Sequence, residues 1–266
     1  MQVTRSFLFV PANRPERYIK ALNSGSDAVI IDLEDSIPAE YKLESRALLK
    51  QWLLEHPTDK VIIRVNSFQT EWFLEDIQLA QFSNVIAIVL PKAEKIKEFE
   101  LIQHVRIIDI YPIIETPYGM AHVKEIAQFP SVRALMFGSI DFQLEMDMSG
   151  DFLELMYFRN KIALASKLAG IANPIDGVTA DFSNLDLVMT ETHQAKKLGF
   201  QGKLCIHPSQ VKPVNQVFNP SPEEIKWAQE VIKAVQVAHG QTISLNGKMI
   251  DKPIISKAEK ILKQVE

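Results

Sequence analysis

Short apolar runs rich in β-branched residues recur along this chain and alternate with segments of helical spacing. Uniformly apolar strands that alternate with helices indicate a parallel sheet covered on both faces, and eight such units predict a (β/α)8 TIM barrel. The predicted strands are Phe7 to Val10, Ala28 to Ile31, Val61 to Val65, Ala87 to Leu90, Ile107 to Ile114, Val132 to Phe137, Ile171 to Val178 and Leu204 to Ile206. The predicted helices include Glu40 to Leu54, Glu71 to Gln81, Tyr118 to Phe129 and Leu185 to Leu198.

The sequence beyond Phe218 predicts a short helical C-terminal extension. A turn signal, Asn219-Pro220-Ser221-Pro222, precedes a predicted helix from Glu223 to about Ala238, and a last amphipathic helix is predicted from Ser256. We therefore expect a barrel domain over residues 1–219 and an extension over residues 220–266.

Composition and charge exclude several classes of protein. The formal net charge of −4 at pH 7, without a basic run, argues against a nucleic-acid surface. No apolar stretch has membrane-spanning length and the first residues lack the apolar core of a signal peptide, so we expect a cytoplasmic protein. The lone Cys205 excludes an internal disulfide and is predicted to lie in the core.

Polar residues follow the predicted strands at the end where barrel enzymes carry their chemistry. Glu115 ends the fifth run and Asp141 follows the sixth. Either acid alone can cap the following helix, but together they suit Mg2+, or Mn2+, with waters and substrate oxygens completing the shell. Zinc is not expected, because no His pair or His-Cys cluster has ligand spacing.

Arg64 ends the third run, and two roles are open to it. It can pair structurally with Asp32 or Glu34, or its planar fork can bind a substrate carboxylate or a developing oxyanion. His207 follows the last strand and is as easily a structural residue as a general base. Lys92 suggests Schiff-base chemistry, which a carboxylate pair with a divalent metal would make redundant.

Ordered motifs along almost the whole chain resemble one family of barrel enzymes. These motifs are Arg5 to Ala12, Asp32 to Ser36, Arg64 to Asn66, Leu90 to Lys92, Glu115-Thr116, Gly138 to Asp141, Ile206 to Gln210 and Met249 to Asp251. In them the chain is similar to the citrate lyase β-subunit-like branch of the HpcH/HpaI aldolases, which includes malyl-CoA and citramalyl-CoA lyases. The resemblance implies a Mg2+-dependent lyase that cleaves or forms a 3-hydroxyacyl-CoA ester, with acetyl-CoA and pyruvate or glyoxylate as the fragments.

The resemblance also implies roles for particular residues. Glu115 and Asp141 match the metal ligands, and Arg64 matches the arginine that binds the substrate oxygens. Asp251 matches an acid that the C-terminal segment of a neighbouring subunit supplies, as a lid over the site. The resemblance also implies a homotrimer or hexamer.

Three further positions match residues that contact the CoA portion, namely Phe9, Arg14 and Lys20. The chain departs from many relatives after Asp141, where Phe142 to Asp147 is bulkier and more acidic, so the acyl preference stays open. Three alternatives also stay open: a citryl-acyl-carrier-protein lyase subunit, a pyruvate aldolase that works without CoA, and a non-catalytic barrel kept for assembly.

Overall fold

The computed structural model of the protein describes residues 4–150, 152–238, 243–245 and 248–264. These residues divide into two compact units, Thr4–Gln216 and the part of the chain from Val217 onward. Each unit has its own set of strands and helices. Within the described residues, no helix combines the length and the apolar character needed to cross a bilayer.

The first unit contains a closed barrel of parallel strands, in which each strand pairs with its neighbour in sequence and the last with the first. Among its described residues the strands are β1 Ser6–Pro11, β2 Ala28–Asp32, β3 Val61–Arg64, β4 Val85–Leu90, β5 Asp109–Ile114, β6 Met136–Phe137, β7 Ile175–Asp176 and β8 Gly202–Cys205. This architecture confirms the predicted (β/α)8 barrel.

Strands β6 and β7 are shorter than their apolar runs predict. The run from Val132 makes an isolated bridge to Ile110 before the regular ladder of β6 begins at Met136. Scattered hydrogen bonds fill the interval, such as that from the Ile175 N–H to the Leu135 carbonyl at 2.9 Å. The apolar character of these segments predicts that they are buried, but it does not predict where the hydrogen-bond ladder becomes continuous.

Helices follow the strands and cover the barrel. Their bounds are α1 Tyr18–Leu22, α2 Lys42–Glu55, α3 Phe73–Asp76, α4 Ile96–Val105, α5 Pro117–Ala121, α6 Val123–Ala127, α7 Ser139–Glu145, α8 Met156–Ala169, α9 Leu185–Lys197 and α10 Val211–Phe218.

Two predicted helices are broken. The segment from Glu71 to Gln81 contains α3 and a 3-10 turn, Ile77–Gln81. The segment from Tyr118 to Phe129 is interrupted at His122, where the ring nitrogen Nδ1 and the backbone N–H both approach the Tyr118 carbonyl, at 2.9 and 3.1 Å. The backbone of His122, at φ −99° and ψ 11°, leaves helical geometry, so the prediction of one continuous helix there is wrong.

The barrel interior is filled by alternate strand residues, because successive side chains point to opposite faces of a strand. The buried inward positions include Phe7, Ile30, Ile62, Val89, Ile113, Met136, Ile175 and Leu204. Two residues beyond Ile30, Ile62 and Ile113 come Asp32, Arg64 and Glu115. The same alternation that packs the core therefore brings these three polar side chains to the carboxyl end of the barrel.

The second unit contains α11 Pro222–Ala238, an antiparallel hairpin of β9 Ile243–Leu245 and β10 Lys248–Ile250, and α12 Lys252–Leu262. Ala228, Val231, Ile250 and Ala258 form its small core. The last helix starts at Lys252 rather than at the predicted Ser256. Proline is tolerated in a first helical turn, and the Asp251 carboxylate caps the helix by accepting from the Ile254 N–H at 3.2 Å.

Candidate active site

A cavity of about 470 Å³ lies at the carboxyl end of the barrel. This is the end at which barrel enzymes place their active sites. The side chains that line it divide into a charged group and an apolar group. The lining residues are Phe9, Pro11, Asp32, Asp35, Ser36, Arg64, Ile113, Glu115, Phe137, Gly138, Ser139, Ile140, Asp141, Val178, Leu204 and Ile206.

Glu115 is a buried carboxylate of the cavity, with 3 % of its surface exposed. Its Oε1 accepts a hydrogen bond from the Lys92 backbone N–H at 2.8 Å. Burial raises the pKa of Glu115 to about 8, and repulsion from Glu34 and Asp141 adds to this shift against the attraction of Arg64. A cation bound next to this carboxyl group would favour its ionised form and lower its pKa.

Gly138 provides the space that Glu115 occupies. A Cβ added at this glycine would lie 2.2 Å from Glu115 Oε2 and 2.9 Å from Ile113 Cγ2. Its φ of −86° is open to any residue, so close approach is the reason for glycine here. Three residues further on, Asp141 lies partly exposed in the first turn of α7 and lines the cavity. Its two proposed roles, helix-terminal acid and site carboxylate, are therefore compatible.

Arg64 is held by acids that follow β2. Its Nε and Nη2 donate to Asp32 Oδ1 and Oδ2 at 2.6 and 2.7 Å, and its Nη1 donates to Asp35 Oδ2 at 3.0 Å. Its Nη1 also lies 3.2 Å from Glu34 Oε2, in an ion pair without hydrogen-bond geometry. The guanidinium lies over the Phe9 ring, 4.6 Å from its centroid. Arg64 therefore makes the structural pairing with Asp32 and Glu34 that the sequence analysis considered. Asp35 is the exposed acid among its partners.

The acids around Arg64 differ in the direction of their pKa shifts. Burial alone would raise the pKa of Asp32, but the charge and hydrogen bonds of Arg64 hold it below its ordinary value. Burial raises the pKa of Glu34 to about 7 against the attraction of Arg64, and repulsion from Asp35 and Asp32 adds to the rise. Asp32 is therefore the structural counterion of Arg64, whereas Glu34 is a surplus acid.

The donor set fits a hard divalent cation completed by other oxygens. Within the described residues, no three His, Cys, Asp or Glu side chains are arranged to hold an ion by themselves. The buried Glu34 Oε2 lacks a hydrogen-bond partner among these residues, and the repulsion of Glu115 by Glu34 and Asp141 favours a positive charge near Glu115. Mg2+ binds well through one or two carboxylates and otherwise keeps waters and substrate oxygens.

The predicted site residues fall into two groups. Phe9, Arg64, Glu115 and Asp141 line one cavity, whereas Arg14 and Lys20 are not among its described lining residues. Arg14 is half-exposed before the first 3-10 turn and pairs with Glu16 at 2.7 Å. Lys20 is exposed on α1. Asp251 caps α12 in the second unit, and its part in the site stays a prediction.

The remaining chemistry-bearing residues have structural surroundings. Cys205 is buried in β8, and burial raises the pKa of its thiol to about 12, as expected of a core residue. His207 caps a 3-10 turn, with its Nδ1 2.7 Å from Ser209 Oγ. Lys92 has a left-handed φ of 47° and contributes its backbone N–H to Glu115.

Sequence reasoning did not identify Gly138 as the space for Glu115 or Ser139 as a lining residue. The Phe137-Gly138-Ser139 step was a usable signal, because a glycine directly after a buried strand indicates close approach by another group. The Lys92 N–H carries no such signal, since every residue except proline has one.

Comparison with known proteins agrees with this architecture. The chain matches family models for HpcH/HpaI aldolase/citrate lyase over residues 5–208 and for a C-C bond lyase of the TIM-barrel fold over residues 157–266. It is 32% identical to a (3S)-malyl-CoA thioesterase of Cereibacter sphaeroides, over 98% of this chain and 94% of the relative. It is 30% identical to the human mitochondrial citramalyl-CoA lyase, over 96% and 83%.

One similar solved structure is the protein CitE of Mycobacterium tuberculosis in complex with magnesium, acetoacetate and coenzyme A. It superposes with a TM-score of 0.86 at 29% identity and covers 98% of both chains. The family-model match spans most of this chain, and the sequence relatives match from end to end. This chain therefore belongs to the HpcH/HpaI aldolase/citrate lyase family.

Proposed function

We propose that this protein is a Mg2+-dependent lyase that cleaves, or forms, a 3-hydroxyacyl-CoA ester such as citramalyl-CoA or malyl-CoA. The products of cleavage are acetyl-CoA and a 2-oxo acid, pyruvate or glyoxylate. The observation that carries the proposal is the buried Glu115, which lies in a cavity with Asp141 and Arg64 and, among the described residues, accepts a hydrogen bond only from the Lys92 N–H. The complexes of the similar CitE with magnesium, acetoacetate and coenzyme A support the same assignment.

Glu115 and Asp141 would hold the metal in this proposal. Bound Mg2+ supplies a Lewis acid that polarises the hydroxyl and carboxylate oxygens of the substrate. Arg64 stabilises negative charge on the hydroxyl oxygen as it becomes the ketone oxygen of the 2-oxo acid. Its contact with Asp35, whose side chain is 55% exposed, is the one that a substrate oxygen can replace most easily.

Cleavage moves the electrons of the carbon–carbon bond onto the carbon next to the thioester. The hydroxyl gives its proton to solvent water, its oxygen forms the ketone, and the departing fragment is an acetyl-thioester enolate. Asp251 is our proposed acid that delivers a proton to this carbon, and it removes the proton in the direction of condensation. Phe9, Arg14 and Lys20 are proposed to contact the CoA portion.

Asp251 is proposed to come from a neighbouring subunit of a homotrimer or hexamer. A mixing experiment tests this arrangement. Glu115→Gln and Asp251→Asn proteins, each inactive alone, should regain part of the wild-type activity when they are dissociated, mixed and reassembled, because some mixed sites contain both intact acids. Absence of recovery in a mixture shown to contain mixed oligomers would contradict a site shared between subunits.

The direct test of the activity is a panel of CoA esters, namely citramalyl-CoA, malyl-CoA, methylmalyl-CoA and HMG-CoA, assayed with Mg2+ and with chelator. Release of a 2-oxo acid that the chelator abolishes would support the lyase. Release of free CoA and an intact hydroxy acid would instead indicate a thioesterase, the activity named for the Cereibacter sphaeroides relative. Folded protein that is silent on every ester would favour a carrier-protein-dependent subunit or a CoA-independent aldolase.

A further inference from the structure

The motif Ile206 to Gln210 follows β8 and ends in a buried glutamine that the proposed chemistry does not use. Gln210 is 1% exposed. Its Oε1 accepts from the N–H groups of Ile206 and His207, at 2.8 and 3.3 Å, and its Nε2 donates to the Thr179 carbonyl at 2.9 Å. This set of hydrogen bonds, here called the amide latch, joins the segment after β8 to the segment after β7.

The amide latch lies where the backbone ladder between β7 and β8 has already ended. The two strands pair through two residue pairs, and Asp176 is the last residue of β7. Thr179 lies beyond the end of β7, and Ile206 directly follows β8. A glutamine amide offers an acceptor and a donor, as a peptide group does, so Gln210 can bridge the two segments in place of a ladder.

Capping of a turn does not account for all of these bonds. His207 and Gln210 form a capping box around the 3-10 turn Pro208–Gln210, and the box uses the Gln210 Oε1 as an acceptor. The Nε2 donor has no part in the cap, and it reaches a carbonyl 31 residues away in sequence. The same turn makes a second link to the segment after β7, since Ser209 Oγ donates to the Phe182 carbonyl at 3.4 Å and the His207 ring stacks on the Phe182 ring.

The two segments that the amide latch joins also line the cavity. Val178 is the residue before Thr179, and Ile206 donates to the latch itself; Val178 and Ile206 both line the cavity. A shift of either segment would therefore change the shape of the site. Catalysis is sensitive to such shifts, because a misplacement of about 1 Å can lower the rate by about 10²-fold.

The segment after β7 also contacts the surroundings of Glu115. Gly177 lies so close to the end of β6 that an added Cβ would be 2.6 Å from Ser139 Oγ and 2.8 Å from the Phe137 carbonyl oxygen. Gly138 lies between these two residues in sequence and gives Glu115 its space. Packing therefore connects the amide latch to the surroundings of the proposed metal ligand.

From these contacts, and resting on the proposed function for the reaction that it serves, we infer that Gln210 is a positioning residue of the active site. It is not among the described lining residues of the cavity, and it acts through the segments after β7 and β8. This role requires both halves of the amide, the acceptor for the segment after β8 and the donor for the segment after β7. The two halves can be removed separately.

Gln210→Glu removes the donor and keeps the acceptor. A buried carboxylate beside the Thr179 carbonyl is unfavourable, so the pKa of the new carboxyl group should be raised, and acidification should restore an O–H donor. We expect kcat/KM, relative to wild type at the same pH, to be about tenfold lower or more at about pH 8 and to recover severalfold towards about pH 5.5. Gln210→Met lacks both halves and should show the loss at both pH values without recovery.

Gln103→Glu is the matched control, because Gln103 makes the same kind of bond at the amino end of the barrel. Its Nε2 donates to the carbonyl of Ile108, the residue before β5, at 2.8 Å. This variant should keep kcat/KM within about twofold of wild type at both pH values. A purely structural role for Gln210 would give the same result, with lower stability and an unchanged kcat/KM of the folded protein.

The assays use the CoA ester that the wild-type protein cleaves, and circular dichroism establishes that each variant is folded at each pH. Titratable and charged side chains around Gln210 are His207 on its own turn, Asp181 after β7, Glu191 on α9 and Lys203 on β8. All are common to variant and wild type, so the ratio removes their own titration. Folded Gln210→Glu protein with the wild-type kcat/KM at both pH values, or with a loss that acidification does not reduce, would overturn the inference.

Hydrogen exchange tests the amide latch without any substrate. Gln210→Met should accelerate backbone exchange in residues 177–183 and 205–209, whereas Gln103→Glu should leave both segments as in wild type. Unchanged exchange in Gln210→Met would overturn the latch. Wild-type protein that cleaves none of the esters would refute the proposed function, and the exchange rates would then decide on the latch by themselves.

Discussion

Two buried ionic clusters lie on opposite sides of the barrel wall, and their charge balance differs. The inner cluster, at the mouth of the barrel, has Arg64 facing Asp32, Glu34 and Asp35. The outer cluster is defined by Arg159 and Lys203 with Asp176 and Glu191. The outer cluster pairs two cations with two anions. The inner cluster has one cation for three anions, and Glu115 and Asp141 lie in the same cavity.

The geometry of the outer cluster follows from strand alternation. Ile175 and Leu204 point into the barrel, so Asp176 and Lys203 point outward toward the helices. Arg159 on α8 donates to Asp176 Oδ1 at 2.8 Å. Lys203 Nζ lies 3.5 Å from Asp176 Oδ2 and 3.3 Å from the Glu191 carboxylate of α9. This cluster therefore links two helices to two strands.

The comparison teaches that burial alone does not separate structural charge from functional charge. The buried part of the inner cluster is Arg64 with Asp32 and Glu34, and that of the outer cluster is Arg159 and Lys203 with Asp176. The outer cluster balances its charges among its own members, whereas the inner one has more acids than cations. A surplus that persists in a folded protein indicates a ligand of opposite charge.

The largest expected effect comes from breaking the outer cluster. Asp176→Ala leaves Arg159 and Lys203 buried without their shared carboxylate and should lower the free energy of unfolding by about 3–5 kcal/mol. Asp35→Ala is the matched change in the inner cluster. It should cost less than about 1 kcal/mol, because Asp35 is half-exposed and Arg64 keeps Asp32. Urea unfolding followed by circular dichroism measures both, and equal losses would contradict the comparison.

The second prediction concerns the metal-binding role proposed for Glu115. Glu115→Gln keeps an oxygen that can accept from the Lys92 N–H but cannot ionise when a cation binds. We expect kcat to fall by about 10²–10³-fold, the usual loss of one electrostatic stabiliser. The rise in Tm on adding Mg2+ should disappear. The metal-free protein should stay about as stable as wild type at neutral pH, since a carboxyl group with a pKa of about 8 is mostly protonated there and resembles the neutral amide.

Glu98→Gln is the control for that substitution. Glu98 is also a buried glutamate that accepts backbone N–H groups, those of Glu94 and Lys95 at 3.1 and 3.2 Å, but it is absent from the lining of the cavity. It should leave the Mg2+-dependent rise in Tm intact. A Glu115→Gln protein that still responds to Mg2+ like wild type would rule out Glu115 as a ligand.

The smallest effect is a pH dependence carried by Glu98 itself. Burial raises the pKa of this carboxyl to about 7, against its two backbone hydrogen bonds. The folded state then binds more protons than the unfolded state between about pH 4.5 and 7, so this contribution to stability falls as the pH rises through that window. Glu98→Gln should flatten the decline by on the order of 1 kcal/mol. Urea midpoints of both proteins across the window test this, and parallel curves would contradict it.

Much of the fold was predictable from the order of residues. Apolar runs predict the barrel strands, and polar residues directly after these runs predict the carboxyl end. The sequence alone therefore placed Arg64, Glu115 and Asp141 at one mouth of the barrel. The break at His122 was not predictable, because the backbone leaves helical geometry there without a glycine, a proline or a change of hydrophobic period at that position.

The sequence by itself determined the barrel, its closing strand order and the polar residues at the strand ends. Alternation and hydrophobic period are local properties, and a parallel sheet converts them directly into an inside, an outside and a carboxyl end. Only the tertiary structure decided how charges are shared. It paired Arg64 with Asp32, left Glu34 and Glu115 in surplus, and balanced Asp176 in the outer cluster. Charge balance depends on distances between residues far apart in the chain, and no local pattern contains those distances.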